Sequence, residues 1–161
     1  MELAKRKKIR MENFDYSSSG AYFITICSKN REPLFWKNEE LKGVGANCVR
    51  QPLLSEIGNL VSEEIATLDR TYQNVTVDKY CIMPDHIHMI IFIFSDSDGR
   101  TQFAPTLSRV IKQFKGSVSK KVGRSIWQKS FADRVIRNEL GYRAAWNYIE
   151  ANPNVWMEDS I

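Results

Sequence analysis

The sequence predicts an α+β fold in which helices pack on one antiparallel sheet. Segments rich in β-branched and aromatic residues alternate with segments whose apolar residues recur at helical spacing, in the order strand, helix, strand, strand, helix, strand, helix. Two of the β-rich runs are separated only by Pro84 and Asp85, so they are expected to pair as antiparallel neighbours. With 161 residues and 43% hydrophobic content, residues 1–161 suffice for one domain with its own core.

The first half of the chain contains one strand and one helix. Residues 1–20 are a basic arm that ends in a Ser/Gly turn, and residues 21–28 (AYFITICS) form a strand by composition. Residues 31–51 show little periodicity and predict a short strand or hairpin with an irregular loop. The first helix is expected from Pro52 onward, with Pro52 in its first turn. Its apolar positions are Leu53, Leu54, Ile57, Leu60, Val61, Ile65 and Leu68, and its polar face carries Glu56, Glu63 and Glu64.

The second half begins with the two paired strands, at residues 74–83 and 86–94, followed by a turn-rich loop at 95–105. A second helix is expected from about Thr106 to Val122. Its apolar stripe is Leu107, Val110, Ile111, Phe114 and Val118, and its other face is basic, with Arg109, Lys112, Lys115, Lys120 and Lys121.

The chain ends in a strand and a helix. Residues 130–137 (SFADRVIR) predict an edge strand, and a last helix is expected from Asn138 to a stop around Pro153.

Composition narrows the functional classes. The net charge of +4 and the pI of about 9.0 permit a polyanionic partner. The three cysteines, Cys27, Cys48 and Cys81, show no CxxC spacing, which indicates neither a disulfide framework nor a structural zinc site. No export signal and no apolar run long enough for a membrane span occur in the sequence, so a cytoplasmic protein is expected.

The two histidines, His86 and His88, are the first candidate site residues. Residues two apart in a strand point to the same face, so both imidazoles converge while Ile87 and Met89 face the other way. This is half of a divalent metal site that a third oxygen or nitrogen ligand would complete. The alternative is a strand with two hydrogen-bonded histidines and no metal. Asp85 is expected to initiate the turn after Pro84 and to point away from the histidines.

The last helix supplies two further candidates. Tyr148 and Asn152 are four residues apart and therefore share one helix face. The Asn152 amide oxygen is a candidate third ligand, and the Tyr148 hydroxyl is a candidate nucleophile beside the metal. The alternatives are a tyrosine whose ring packs in the core, and an asparagine that favours a turn before proline.

Basic residues suggest a path for a phosphodiester backbone. They are Lys5, Arg6, Lys7 and Lys8 in the arm, together with the basic face of the second helix. Trp127, Phe131, Tyr142 and Trp146 are candidates for base stacking, whereas Trp36, Trp127 and Trp156 are assigned chiefly to packing. The alternative for each of these charges is an ordinary solvated surface position.

Five segments, in order, resemble the single-tyrosine HUH (His-hydrophobic-His) transposases of insertion sequences, and especially the REP-associated tyrosine transposases. They are FDYSSSGAYFITICSKNREPLF, VTVDKYCIMPDHIHMIIFI, LSRVIKQFKGSVSKK, IWQKSFADRVIRNE and YIEANPNVW. The resemblance implies a ferredoxin-like sheet with the histidine pair on a central strand and a catalytic tyrosine on the C-terminal helix. By motif match, His86 and His88 are metal ligands and Tyr148 is the nucleophile. Asn152 matches the position where relatives carry Gln or Asn as the third ligand.

The resemblance also implies a reaction. Single-stranded DNA beside a hairpin of a palindromic repeat would be cut and rejoined through a 5′-phosphotyrosine, with Mg²⁺ or Mn²⁺ as cofactor. Relatives include homodimers that exchange the tyrosine helix and monomers that act in cis. Many relatives carry histidines or another aromatic residue where this chain has Ala132 and Arg134. Two alternatives stay open: a noncatalytic hairpin-binding regulatory module, and hydrolysis without a covalent enzyme.

Overall fold

A computed structural model describes residues 19–38, 53–94 and 105–159, with side chains up to residue 155. Its elements follow the predicted order, and the α+β class is confirmed. They are β1 (Gly20–Cys27), a 3₁₀ turn (Lys29–Arg31), α1 (Glu56–Thr71), β2 (Val75–Ile82), β3 (His86–Ile93), α2 (Leu107–Val122), β4 (Ala132–Ile136) and α3 (Glu139–Asp159). None of the helices in these ranges is both long and apolar enough to cross a membrane.

The four strands form one antiparallel sheet in the order β2-β3-β1-β4. Because β3 lies between β1 and β2 and is antiparallel to both, β1 and β2 run parallel and are joined by the α1 crossover. This is the ferredoxin-like arrangement. It confirms that the histidine pair lies on a central strand and that β4 is an edge strand.

The strand register assigns each side chain to one face of the sheet, since directly opposed residues share a face. Met89 pairs with Ile24 and with Tyr80, and the Tyr80 hydroxyl lies 3.1 Å from Ser62 Oγ of α1. Helices α1 and α2 pack on each other and therefore cover this Met89 face. The opposite face, which we call the histidine face, carries His86 and His88 together with α3.

The Met89 face is an apolar core. Ile24, Ile26, Ile87, Met89 and Ile91 are fully buried, and burial of each such side chain contributes about 1.5–3 kcal/mol. The core also extends beneath α3, where Ile90, Ala145 and Ile149 are buried.

The predicted packing role is confirmed for two of the three tryptophans assigned to it. Trp36 and Trp127 are buried, with Trp36 Nε1 donating to the Ile82 carbonyl at 2.7 Å. The Trp127 ring lies against Phe35 and Phe114, which leaves it no open face for a base. The side chain of Trp156 lies outside the described residues.

The expected start of the first helix at Pro52 is wrong. Helix α1 begins at Glu56 because Ser55 acts as its N-cap and accepts from Gly58 N at 3.0 Å. Leu54 precedes the helix and forms a β-bridge with Trp36. The predicted second helix is confirmed, with Thr106 as its N-cap and Gly123 ending it at a φ of 81°.

The expected wet face of the first helix is wrong at Glu64, which is buried and ion-paired with Lys121 of α2. Burial by itself raises the pKa of Glu64, but hydrogen bonds with Lys121 and Ser117 outweigh it and hold that pKa below its usual value. The pair fixes α1 against α2. Lys121 therefore contributes to packing of the two helices, although the sequence analysis assigned it to the basic face predicted to bind DNA.

The expected stop of the last helix at Pro153 is also wrong, since α3 runs through Pro153 to Asp159. Proline removes its own N–H bond, and its ring crowds the carbonyl four residues earlier. These effects bend a helix but need not end it. The irregular stretch after β1 contains the 3₁₀ turn and the Trp36–Leu54 bridge. The arm at 1–18, residues 39–52 and the loop at 95–104 lie outside the described residues.

Two helical glycines give a matched prediction about packing. A Cβ on Gly58 would lie 2.1 Å from the Phe35 carbonyl oxygen, so Gly58→Ala must push the backbone apart and should lower the free energy of unfolding by about 3 kcal/mol. A Cβ on Gly116 meets nothing within 4 Å, so Gly116→Ala should raise the free energy of unfolding by about 0.5–1 kcal/mol. Urea unfolding of both variants measures the difference. Equal stability of the two variants would contradict the close approach of α1 to Phe35.

Candidate metal and nucleophile site

The two histidine rings converge on the histidine face of β3. His86 Nε2 lies 3.1 Å from His88 Nε2, with the ring planes at 77°. Both side chains are largely buried, and Ile87 between them points into the core. The predicted strand alternation is therefore found, and it turns one nitrogen of each ring toward the same point.

The outer nitrogen of each ring has a fixed partner. His86 Nδ1 lies 2.6 Å from Asp85 Oδ1, and because a carboxylate only accepts, Nδ1 carries the proton and Nε2 keeps its lone pair. His88 Nδ1 lies 2.9 Å from Thr25 Oγ1. A hydroxyl can donate or accept, so Thr25 can support either neutral tautomer of His88. In one of these tautomers both Nε2 lone pairs face the same point.

The expectation that Asp85 points away from the histidines is wrong. Asp85 lies in the turn before β3, where strand alternation does not apply, and its carboxylate bridges His86 and Arg31 Nε, the latter at 2.9 Å. Burial by itself raises the pKa of Asp85, but the hydrogen bond with His86 and the nearby positive charges outweigh it and lower that pKa. An ionised carboxylate behind the ring orients His86 and makes its Nε2 a better ligand.

His88 is kept neutral by its surroundings. Burial, followed by the charges of His86 and Arg31, lowers the pKa of His88 to about 3. The ring therefore holds no extra proton near neutral pH, and one of its nitrogens retains a lone pair.

The histidine pair fits a divalent cation. Two nitrogens bound at right angles to one ion, each about 2.1 Å away, lie about 3.0 Å apart, which is close to the 3.1 Å between these Nε2 atoms. No group of three or more His, Cys, Asp or Glu side chains suited to a metal occurs within residues 19–38, 53–94 and 105–155, whose side chains the structure describes. A third protein ligand from that part of the chain would therefore be a neutral group such as an amide.

Asn152 offers such a group. It lies one turn beyond Tyr148 on α3, and its Nδ2 is buried without a hydrogen-bond partner. Because amide oxygen and nitrogen are assigned from their contacts, a flip of this unsatisfied amide would present Oδ1, a metal-ligating atom, at the same position. The unsatisfied amide is thus compatible with the predicted ligand role.

Tyr148 lies beside the histidine pair. Its ring meets the His88 ring edge-on at 5.2 Å between centroids and the Phe23 ring at 5.9 Å. The side chain is 52% exposed, so Tyr148 is not a core residue, and it lines an open cavity of about 370 Å³ together with His88 and Arg134. A phosphate entering this cavity would meet the phenol and the imidazoles together.

The position of Tyr148 is set by contacts between α3 and the edge strand β2. The Tyr142 hydroxyl donates to Asp78 Oδ2 at 2.8 Å. Lys79 pairs with Glu150 and lies 4.0 Å from the centre of the Trp146 ring. These contacts hold the tyrosine helix over the sheet of its own chain.

The predicted DNA-binding residues lie elsewhere. Arg109, Lys112 and Lys120 are exposed on α2, on the far side of the sheet from the histidines. Lys115 instead donates to the carbonyls of Gln128 and Ser130, and Lys121 pairs with Glu64. Lys5, Arg6, Lys7 and Lys8 lie outside the described residues. A role in DNA binding stays a prediction for this set.

Sequence reasoning missed Phe23 and Arg134 as site residues. Arg134 is exposed on β4, with its guanidinium 5.5 Å from the centre of the Phe23 ring, and both line the cavity of Tyr148. The signal was present in the alternation of β4, which puts Ala132, Arg134 and Ile136 on one face. Choosing the correct face, however, required the pairing of Arg134 with Phe23.

No family model matches the chain, but individual proteins do. An uncharacterised protein of Haemophilus influenzae is 30% identical, over 97% of this chain and 92% of that protein. A second protein of that organism, provisionally described as a REP-associated tyrosine transposase, is 25% identical over 89% of this chain and 76% of its own length. The REP-associated tyrosine transposase of Escherichia coli K12 is 25% identical over 86% of this chain and 68% of its own length.

A solved structure shares the fold. The structure of the REP-associated tyrosine transposase bound to a REP hairpin superposes with a TM-score of 0.61 and 20% identity, covering 89% of this chain and 72% of that one. The chain therefore shares the overall fold of that protein.

Proposed function

The chain belongs to the family of the REP-associated tyrosine transposases, and we propose on this premise that it cleaves and rejoins single-stranded DNA beside a hairpin. Tyr148 is the nucleophile, and a divalent cation, Mg²⁺ or Mn²⁺, is the cofactor. The observation that supports this best is the contact of the exposed Tyr148 ring with His88, whose Nε2 converges with that of His86. Tyr148 therefore lies next to the histidine pair, where a scissile phosphate could contact both.

The histidine pair and Asn152 would hold the cation, which withdraws charge from the scissile phosphate and stabilises the phenolate. Asp85 and Thr25 keep the two rings aimed through their outer nitrogens. The remaining chemistry belongs to Tyr148. The cavity that it lines is open on one side and can admit a DNA strand.

Each step exchanges one phosphoester bond for another. The Tyr148 Oη attacks phosphorus, the bond from phosphorus to the 3′ oxygen breaks, and the phenolic proton is lost while the leaving 3′ oxygen gains one. The products are a 5′-phosphotyrosine and a free 3′-hydroxyl. In the second step, a 3′-hydroxyl attacks the same phosphorus and restores the tyrosine, so joining requires no nucleotide triphosphate.

We expect this chemistry in the cytoplasm, on a hairpin of a palindromic repeat. The hairpin is proposed because a relative of the same fold is bound to a REP hairpin. Contacts to phosphates of the hairpin stem would position the single strand, whereas the cut itself depends on the site on β3 and α3.

The test is a covalent adduct. Purified protein is incubated with 5′- and 3′-labelled hairpin oligonucleotides that carry single-stranded flanks, in Mg²⁺ or Mn²⁺, and is run on a denaturing gel. A band of protein linked to the 5′ end of the downstream fragment is expected, and EDTA should remove it. Binding without an adduct across a panel of hairpins would favour the noncatalytic module. Cleavage that leaves free 5′ ends would favour hydrolysis without a covalent enzyme.

A further inference from the structure

The histidine face is only partly covered in the described part of the chain. Helix α3 packs mainly on β2 and β3, so the half formed by β1 and β4 remains open to two hollows. The first, of about 370 Å³, is the cavity of Tyr148, Phe23 and Arg134. The second, of about 320 Å³, is lined by Phe92, Tyr142, Ile136 and Arg137 among others. We call this surface the β1–β4 strip.

The two hollows lie in line along the strands. The first includes Thr25, which pairs with His88, and the second includes Ala21, which pairs with Phe92. Four residues of strand separate these pairs, a distance of about 13 Å. The strip therefore leads directly from the candidate nucleophile toward the end of the sheet where β1 begins.

Each hollow combines an aromatic ring with an arginine. Phe23 and Arg134 line the first hollow, where one face of the Phe23 ring is already stacked on His88, with ring centroids 5.2 Å apart. Phe92, Tyr142 and Arg137 line the second. Phe92 and Tyr142 are only half-buried, and the neighbouring Phe94, 50% exposed, lies parallel to Phe92 with ring centroids 6.2 Å apart. Aromatic rings of this kind stack on unpaired bases, and arginines contact the phosphates between them.

Acidic groups on the strip do little to oppose a polyanion. Asp133 lines the first hollow, but it pairs with Ile24, so strand alternation assigns its side chain to the Met89 face. Glu139 lines the second hollow and is paired with Arg143 at 2.8 Å. The remaining charges at the rims are the two arginines.

We propose that the β1–β4 strip binds the single-stranded DNA that adjoins the scissile phosphate, with one base in each hollow. The inference rests on the proposed function, since it assumes that the strand reaching Tyr148 is DNA. A duplex would hide its base faces from the rings, so the unpaired flank of a hairpin fits the strip better than its stem. This path lies on the opposite side of the sheet from the basic face of α2.

The test measures binding of a fluorescein-labelled oligothymidylate of about 12 nucleotides by fluorescence anisotropy, in the presence of EDTA. Phe92→Leu keeps an apolar side chain and removes the stacking face, and Arg134→Gln removes one rim charge. Each should weaken binding about fivefold or more, and Arg134→Gln should also reduce the salt dependence. Arg70→Gln is the matched control, because it removes an exposed charge on α1, across the sheet, and should change affinity less than about twofold.

Unchanged affinity in both strip variants, or an equal loss in all three, would overturn the proposal. Photocrosslinking of an iododeoxyuridine-substituted oligonucleotide provides a readout that does not depend on variant folding. Crosslinked peptides should contain Phe23, Phe92 or Tyr142, and crosslinks confined to α2 would count against the strip.

Both measurements are made in the Tyr148→Phe background, so they do not require cleavage. If the strip variants lose binding while protein with Tyr148 intact forms no adduct on any hairpin, the strip stands and the proposed chemistry is rejected. If the wild-type protein forms an adduct but the strip variants bind normally, the proposed chemistry stands and the strip is rejected.

Discussion

Tyr148→Phe should abolish the covalent protein–DNA adduct, with a loss of about 10³-fold or more in cleavage rate. The change removes only the phenolic oxygen, and removal of a covalent nucleophile leaves no group to form the phosphotyrosine. The ring contacts with His88 and Phe23 are retained by phenylalanine, so the fold and the cavity should persist. Labelled hairpin, Mn²⁺ and a denaturing gel provide the measurement, with hairpin binding expected within about twofold of wild type.

Tyr80→Phe is the matched control for this variant. Tyr80 also has an accessible hydroxyl, but it lies on the Met89 face and contacts Ser62 of α1. Its loss should leave adduct formation within about twofold of wild type and lower stability by about 0.5–1.5 kcal/mol. An adduct that persists in Tyr148→Phe and disappears in Tyr80→Phe would reassign the nucleophile.

The features that the sequence predicted correctly depend on local periodicity. Alternation in β3 separates His86 and His88 from Ile87 and Met89, and the 3.6-residue repeat of α2 is regular from Leu107 to Val118. Each pattern lies within a single element, so it can be recognised in the sequence without knowing which elements pack against it. The ferredoxin-like order followed from the family resemblance rather than from these patterns.

The errors have a common physical origin in contacts between distant segments. Glu64 looks like a solvated helix residue until Lys121, 57 positions later, is brought against it. Arg134 becomes a site residue only through its register with Phe23 on β1. Asp85 can turn toward His86 because it lies in the turn before β3, where side chains no longer alternate between the two faces of the sheet. Strand register and helix packing decide such contacts, and no single segment encodes them.

Replacing both histidines by alanine should abolish cleavage and leave most of the DNA affinity. In the tautomer that leaves both Nε2 atoms unprotonated, these atoms are the convergent lone-pair donors of the site. The proposed affinity for DNA would come largely from phosphate contacts elsewhere. The His86→Ala, His88→Ala protein should form no adduct in either Mg²⁺ or Mn²⁺. Its affinity for a labelled hairpin should stay within about threefold of wild type.

Metal-dependent stability separates loss of the cation from loss of the fold. A cation at 100 times its dissociation constant stabilises a protein that binds it by about 2.7 kcal/mol, so Mn²⁺ should raise the unfolding temperature of the wild type. The double variant should lose that increase, and the electron paramagnetic resonance signal of free Mn²⁺ should no longer fall when protein is added. Asp85→Asn is an intermediate case: it removes the charge behind His86 and should weaken Mn²⁺ binding about 10- to 100-fold without abolishing it. Full Mn²⁺ stabilisation in the double variant would place the cation elsewhere and leave the histidine pair a purely structural role.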